Sequence, residues 1–210
     1  MHIPPPFRRD DPATLQSAMR RFQTATLVSH GASGLMATHV PIEVAESPSP
    51  LGRLRCHFAR ANPHAEMIAE ADEVLAIFHG PEGYISPNWY PSKAHNSKVV
   101  PTWNYATIHA YGTAKSFTDP NALRALVGKL TDRYEARQAT PWSIDDAPDD
   151  YIDSMLSAII GIEITVSRLE GKWKMSQNRS AEDQQGVIHG LQAQGDPGSL
   201  ALADEIQKKI

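Results

Sequence analysis

Two long alternating runs decide the fold class: YATIHAYGTAKSF at residues 105–117 and IIGIEITVSRLEGKWKM at residues 159–175. In the second run Ile162, Ile164 and Val166 alternate with polar residues, which is typical of a strand with one face in the core. The first run alternates in the same way. Together they predict the last two long strands of a mainly β protein.

Shorter strand-like runs precede these two along the chain. They are ATLVSH (25–30), LMATHVPIEV (35–44), LRCHFA (54–59), EVLAIFHG (73–80) and GYIS (83–86), with GASG (31–34) as a hairpin turn between the first two. Short turns join the runs, and the first five contain one small helix among them, which argues against βαβ units. The pattern predicts an antiparallel barrel or sandwich with helices at its edges.

Three helix starts share a capping side chain followed by proline at the first helical position. They are Asp11-Pro12, Asn62-Pro63 and Asp119-Pro120. The third leads into an amphipathic helix over residues 119–136, inserted between the two long strands. A capping box at Ser180 and Asp183 predicts another helix, and a last one is predicted from near Ser199 to Lys209.

The composition is that of an ordinary globular protein: 210 residues, 41% hydrophobic, 21% charged, with a net charge of −4. No apolar run approaches the ~20 residues of a membrane helix, and the opening MHIPPPFRRDD lacks the apolar core of a secretory signal. The single cysteine, Cys56, excludes an internal disulfide, so the cytoplasm is the expected compartment. A pI of about 6.1 gives no support to a dedicated DNA-binding domain.

Common catalytic and metal-binding motifs are missing from the sequence. There is no GxSxG, P-loop or GxGxxG, which argues against serine hydrolases, nucleotidases and Rossmann dehydrogenases. The histidines show no HExxH or other metal signature, so no metal site is predicted. Cys56 lies in a strand run and is predicted to be a buried apolar residue rather than a nucleophile.

The densest group of aromatic and polar residues is GPEGYISPNWYPSKAHNSKVVPTWNYATIHAYG, residues 80–112. Rings that cover a plane, next to lysines and hydroxyls that hold a phosphate, suit a planar ligand with a phosphate tail. The same composition suits an aromatic loop packed over a barrel mouth, or single-stranded nucleic acid. Composition alone leaves these three alternatives open.

Two further clusters carry positive charge. In HFARANPH (57–64), Arg60 follows a strand and precedes the helix start at Asn62, and an arginine beside a helix N-terminus is a ready anion site. In GKWKMSQNR (171–179), three cations lie among polar residues. The simpler explanations are a solvated turn in the first case and a solvated strand end in the second.

These clusters, in this order, resemble the PaiB family of FMN-binding negative transcriptional regulators. The segments that carry the resemblance are MHIPPPF (1–7), LMATHVPI (35–42), HFARANPH (57–64), GYISPNWYPSK (83–93), VPTWNYATIHAYG (100–112) and KMSQNRSAEDQQGVIHGL (174–191). The match runs almost end to end, and PTWNY and KMSQNR are long, unusual motifs. HAEM (64–67) and the tail after Gly195 are less characteristic.

The family is similar to the split-barrel flavoproteins, whose best-known members oxidise pyridoxamine phosphate. The resemblance implies an antiparallel split barrel with flanking helices, a homodimer, and FMN in a groove between the subunits. The chain itself reads as one domain with a C-terminal extension: we expect the FMN-binding domain over residues 1–175 and a helical extension over 176–210, packed on the same domain.

The resemblance further implies which residues bind FMN. LMATHVPI lies along the flavin ring, and HFARAN with the following helix start contacts the ribityl-phosphate arm, where Arg60 is the leading candidate for the phosphate. The predicted cofactor-binding residues are Thr38, His57, Arg60, Asn62, Ser86, Trp89, Lys98, Thr102, Trp103, Asn104, Lys174, Gln177 and Arg179. No catalytic residue is predicted.

Three functions stay open at this point. The first is a regulator of gene expression that acts through flavin binding or redox state, because no helix-turn-helix is found and a net charge of −4 predicts no tight sequence-independent DNA binding. The second is a flavin-dependent oxidoreductase acting on a small substrate. The third is a haem-binding or haem-degrading split-barrel protein, with His39, His57 or His109 as the axial ligand.

Overall fold

The alternating runs form an eight-stranded, mainly antiparallel sheet in a computed structural model that describes residues 1–45 and 49–208. The strands are β1 (Arg8–Arg9), β2 (Thr24–Gly31), β3 (Gly34–Pro41), β4 (Glu43–Ala45), β5 (Arg53–Ala59), β6 (Val74–Ile85), β7 (Thr102–Phe117) and β8 (Ile159–Lys174). The helices are α1 (Pro12–Phe22), α2 (His64–Glu70), α3 (Pro120–Glu135), α4 (Asp149–Ser157), α5 (Ala181–Gln194) and α6 (Pro197–Gln207).

The sheet order is β3-β2-β6-β7-β8-β5-β4, with β1 paired to β8. The predicted hairpin between β2 and β3 is confirmed: Gly31 pairs with Gly34, and Gly34 has a φ of +98°, a conformation that glycine adopts without strain. The prediction that a helix separates the last two long strands is also confirmed, by α3.

Several predicted boundaries were wrong. The runs 73–80 and 83–86 form one continuous strand, β6. Residues 75–77 of this strand pair with β2, and Pro81 lies outside that pairing, so its missing N–H does not interrupt these hydrogen bonds. The last helix begins earlier than predicted, because Asp196 caps it with a bond from the Ser199 amide to its carboxylate (3.0 Å). Its predicted end at Lys209 lies outside the described residues.

Helix α4 and the short strand β1 were missed in the sequence. The apolar pair Ile152 and Leu156 has helical spacing, and both side chains pack with Leu123 of α3. However, the residue before α4 is Pro148, which provides no side-chain cap. The start signal that identified the other helices is therefore absent here.

The chain divides into two compact units, each built from segments distant in sequence. The first contains Met1–Asp10, His79–Ile108 and Glu170–Ile210, and the second contains Asp11–Phe78 and His109–Leu169. The described part of the predicted C-terminal extension, residues 176–208, therefore belongs to the first unit. The predicted domain boundary at residue 175 stays a prediction. No helix in the described part of the chain is long and apolar enough to span a membrane.

The second unit is centred on the side chains that β2, β5 and α1 turn inward. Leu15 and Met19, one turn apart on α1, are fully buried. Asp11 begins this helix by accepting a hydrogen bond from the Thr14 amide (2.8 Å), as the Asp-Pro signal predicted. Cys56 of β5 is buried, and burial raises the pKa of its thiol to about 12. The thiol is therefore not a nucleophile near neutral pH.

In the first unit α5 packs closely on the turn that contains Trp89. A Cβ atom added at Gly190 would lie 2.3 Å from the indole ring of Trp89, and one added at Gly186 would lie 2.0 Å from its carbonyl oxygen. The predicted capping box is only half formed: the Ser180 hydroxyl accepts from the Asp183 amide, but the Asp183 carboxylate binds Ser92 instead. The start of α5 is thereby tied to the same turn region.

We predict that Gly190→Ala destabilises the protein by about 1–3 kcal/mol, because the added methyl group overlaps the indole ring of Trp89. Gly128→Ala is the matched control, since Gly128 is also inside a helix and a Cβ there meets nothing within 4 Å. The control should stabilise by about 0.5–1 kcal/mol through its helix propensity. Urea unfolding of both variants measures the difference, and equal effects would contradict the packing argument.

Candidate functional site

A hydrogen-bond network joins β2, β3 and the start of α2 in the second unit. The ring of His64 lies between two hydroxyls: Nε2 is 2.9 Å from Ser29 Oγ, and Nδ1 is 2.7 Å from Thr38 Oγ1. The Asn62 side chain donates from Nδ2 to Thr38 Oγ1 over 3.4 Å and accepts from the His64 amide at Oδ1 over 3.0 Å. The structure thus brings the predicted residues Thr38 and Asn62 together.

His64 and Ser29 were not predicted as site residues. His64 is fully buried and its ring stacks on Phe58 with centroids 5.4 Å apart. Burial lowers the pKa of this imidazole, which favours the neutral ring. The HAEM segment looked uncharacteristic in the sequence. The available signal was its place directly after Asn62-Pro63, where the chain turns from a strand into a helix.

Arg60 lies apart from this network. Its guanidinium donates from Nε to the Ser157 carbonyl (2.8 Å) and from Nη2 to the Ile159 carbonyl (3.2 Å), so it satisfies the backbone where α4 ends. The predicted helix start was also wrong: α2 begins at His64, with Pro63 as its cap residue. With seven residues, α2 is too short to provide the anion-binding helix terminus that we expected beside Arg60.

His57 is not one of the residues that form this hydrogen-bond network. It lines a separate cavity of about 350 Å³ with residues of α3, including Tyr134, and with Trp142. Burial lowers the pKa of His57. Its Nδ1 atom is buried without a hydrogen-bond partner among the described residues.

The first unit carries a group of exposed or partly exposed aromatic and basic side chains on β6, β7 and β8. Trp103 on β7 is 55% exposed, and its ring meets that of Tyr84 edge-on at 6.4 Å. Lys174 on β8 donates to the Thr102 hydroxyl, and the ammonium group of Lys172 lies 5.0 Å from the ring of Tyr105. We call the group of Tyr84, Trp103, Tyr105, Lys172 and Lys174 the aromatic–lysine face.

The other predicted residues of this unit are largely engaged inside the protein. Ser86 accepts from the Asn88 amide (3.2 Å), and Asn104 is buried and donates to Ser176 (2.8 Å). Gln177 accepts from the Met175 amide (2.6 Å) and donates to the Trp173 carbonyl (2.5 Å), while Trp89 packs on α5. The guanidinium of Arg179 lies over the ring of Tyr90 at 4.7 Å. Lys98 is exposed in the loop before β7.

The side chains of the two polar clusters are of types that hold ligands by hydrogen bonds and charge. In the described ranges, 1–45 and 49–208, no three His, Cys, Asp or Glu side chains are grouped so that they would hold a metal ion. Hydroxyl, amide and ammonium groups dominate both clusters. Such groups hold a ligand by hydrogen bonds and charge and do not themselves supply an activated nucleophile.

Acidification should destabilise the second unit through His64. Because burial lowers the pKa of His64 from its ordinary 6.5, the unfolded chain takes up a proton at a higher pH than the folded one. The stabilisation by the neutral ring is therefore complete above about pH 6.5 and is lost as the pH falls through the lower folded-state pKa. We predict that the free energy of unfolding falls between about pH 7 and about pH 5.

Urea unfolding across that pH range measures the effect. The pH dependence should shrink in His64→Gln relative to the wild type. An undiminished slope in the His64 variant would contradict the prediction.

The chain is similar to curated proteins along most of its length. It is 29% identical over 210 residues to the protease synthase and sporulation protein PAI 2 of Bacillus subtilis, covering 100% of this chain and 98% of that protein. It is 32% identical over 244 aligned positions to an uncharacterized protein of Aspergillus fumigatus, covering 99% of this chain and 94% of that one.

Solved structures share the fold at low identity. A conserved hypothetical protein of Mycobacterium tuberculosis superposes with a TM-score of 0.60 at 14% identity, over 86% of this chain and 94% of that one. The FAD and heme binding protein of Mycobacterium smegmatis gives a TM-score of 0.56 at 13% identity, over 85% and 78% of the two chains. The predicted fold class, an antiparallel split β-barrel with flanking helices, is confirmed.

A family model settles the membership of the chain. The match covers residues 1–168, which include every strand except the last part of β8. It agrees with the resemblance to PaiB and with FMN as the cofactor. The chain belongs to the FMN-binding family described as "Putative FMN-binding domain".

Proposed function

We propose that this chain is an FMN-dependent redox protein of the PaiB type, which acts through its flavin and not through a dedicated DNA-binding element. The observation that carries the proposal is the open position of Trp103 on the aromatic–lysine face. Trp103 is 55% exposed, and the neighbouring residue Thr102 accepts a hydrogen bond from the ammonium group of Lys174. An exposed ring on the same strand as a residue bound by a lysine suits a planar ligand with an anionic tail.

The donor set fits FMN. The phosphate of FMN carries about −1.5 to −2 charges near neutral pH, by analogy with other phosphomonoesters, and needs charge-assisted partners. Lys174 and Lys172 are such partners, and Trp103 offers a ring for stacking. In the second unit Thr38 and Asn62 are uncharged donors. We propose flavin contacts for the residues of the first unit and, separately, for those of the second unit. When bound, FMN supplies the redox chemistry, and the protein binds and orients it.

The proposal ranks the predicted residues by what their side chains already contact. Those that carry it are Thr38, Asn62, Thr102, Trp103 and Lys174, with Lys98 as an additional cation. Five other predicted residues already contact groups of the protein, and we propose that they hold the binding residues in place: Ser86, Trp89, Asn104, Gln177 and Arg179. Arg60 and His57 have no direct role in it, because Arg60 binds backbone carbonyls and His57 lines another cavity.

An effect on gene expression is proposed to be indirect. The relative from Bacillus subtilis carries the name protease synthase and sporulation protein, and the resemblance to the PaiB family implies a regulator. With a net charge of −4, this chain lacks the cationic excess that neutralises DNA phosphates. A change in flavin occupancy or redox state, in a cytoplasmic protein, is the route that we propose. Direct oxidation or reduction of a small substrate by the same flavin is the second candidate.

We predict that the purified protein shows flavin absorption bands and that Lys174→Met weakens FMN binding by about tenfold or more. Riboflavin lacks the phosphate, so the same variant should change its affinity little. Fluorescence titration of both ligands measures the difference. Lys115→Met, at an exposed position elsewhere on β7, is the control and should bind FMN as the wild type does.

A haem spectrum in place of flavin bands would overturn the proposal in favour of the haem-binding alternative. Equal losses of FMN and riboflavin affinity in Lys174→Met would mean that Lys174 does not bind the phosphate. Bleaching of the bound flavin by reduced nicotinamide would favour the oxidoreductase candidate over a purely regulatory one.

The proposal includes a homodimer. Large apolar side chains are exposed on the isolated chain, among them Leu35 at 76% and Val100 at 65%, and pairing with a second copy is the common way to cover such groups. Light scattering should give twice the 23.1 kDa of one chain at micromolar concentration. A particle mass of 23.1 kDa, that of a monomer, would contradict the proposed dimer.

A further inference from the structure

The orientation of the Asn62 side chain is determined by the backbone. The His64 amide can only donate, and it donates to Asn62 Oδ1 (3.0 Å), so the other end of the Asn62 amide is the NH₂ group. That group lies 3.4 Å from Thr38 Oγ1 and can only donate to it. One acceptor position of the Thr38 hydroxyl is therefore turned towards Asn62.

The neutral ring of His64 has two possible forms, and each gives Thr38 a different role. If Nδ1 carries the hydrogen, it donates to Thr38, and the hydrogen of the Thr38 hydroxyl remains available for another acceptor. If Nε2 carries it, Thr38 must donate to Nδ1 and has no hydrogen left for a ligand. The form of His64 therefore decides whether Thr38 is a donor or an acceptor towards whatever binds beside it.

Ser29 decides between the two forms. Its side chain is 3% exposed, and across the residues that the structure describes His64 is the hydrogen-bond partner of its hydroxyl. With hydrogen on Nδ1, the Ser29 hydroxyl donates to Nε2 and its hydrogen is satisfied. With hydrogen on Nε2, Ser29 accepts, and its own hydrogen is buried without an acceptor. An unsatisfied buried donor disfavours this second form by about tenfold.

We propose that Ser29 holds His64 with its hydrogen on Nδ1, and that His64 thereby makes the Thr38 hydroxyl a dedicated donor to an acceptor atom of the bound flavin. His64 is a positioning residue, since it acts through Thr38. The inference rests on the proposed function for the identity of the ligand. Thr38 is half-buried, whereas Ser29 and His64 are buried, so Thr38 is the one of the three that is partly exposed to solvent.

Nuclear magnetic resonance tests the form of His64 directly and does not depend on flavin. In protein labelled with ¹⁵N at histidine, long-range proton–nitrogen correlations distinguish a protonated ring nitrogen from a bare one, and loss of signals in His64→Gln assigns them. We expect Nδ1 protonated and Nε2 bare near neutral pH. The result is diagnostic because the imidazole ring in water favours the opposite form. Hydrogen on Nε2 would overturn the proposal.

Flavin titration tests the consequence for Thr38. Thr38→Val should weaken FMN binding by about tenfold, and Thr38→Ser, which keeps the hydroxyl, should restore it. Thr26→Val is the matched control, because Thr26 Oγ1 bonds to His39 Nδ1 (2.8 Å) on the same hairpin but is not part of the network. Riboflavin locates the acceptor: a loss confined to FMN assigns it to the phosphate, and an equal loss assigns it to the flavin ring or ribityl chain.

The two levels of failure are distinguishable. No binding of FMN by the wild type would overturn the proposed function, and the resonance experiment would still decide the form of His64. Normal FMN binding in Thr38→Val would overturn the role of Thr38 and leave the proposed function standing.

Discussion

A buried imidazole is stabilised by a hydrogen-bond partner at each ring nitrogen, and His64 has two hydroxyls from different strands in these positions. Ser29 lies on β2 and Thr38 on β3, so the ring holds the hairpin against the start of α2. A polar group left without a partner at this depth would cost more than a typical hydrogen bond contributes. The positions of β2, β3 and α2 are therefore coupled through one side chain, and the half-buried Thr38 is oriented as a result.

In the first unit the corresponding constraint is steric. Gly186 and Gly190 let α5 approach the turn at Trp89 closely, and a side chain at either glycine would overlap that residue. Trp173 is buried and donates from Nε1 to Glu205 of α6 (2.9 Å). The C-terminal helices are thus part of the packing of this unit, and Trp89 is held in place by α5.

Residue type alone did not distinguish side chains that are exposed from side chains that pack inside the protein. Trp89 and Trp103 lie in the same aromatic stretch of sequence, yet the first packs on α5 and the second is more than half exposed. Arg60 has the charge that a phosphate needs, but its guanidinium satisfies carbonyls at the end of α4, a helix that the sequence did not reveal. Each outcome depends on a neighbour that is distant along the chain.

Local patterns determined most of the strands, the hairpin turn and the starts of α1, α3 and α5, because alternation, turn chemistry and capping act over a few residues. The long motifs also determined the family and its cofactor. Only the tertiary structure decided which polar groups meet: Ser29 and Thr38 reach His64 across 35 and 26 positions of sequence, and Lys174 reaches Thr102 across 72. The physical reason is that a hydrogen bond depends on atoms within about 3 Å in space, whereas sequence periodicity specifies only which face of an element a side chain occupies.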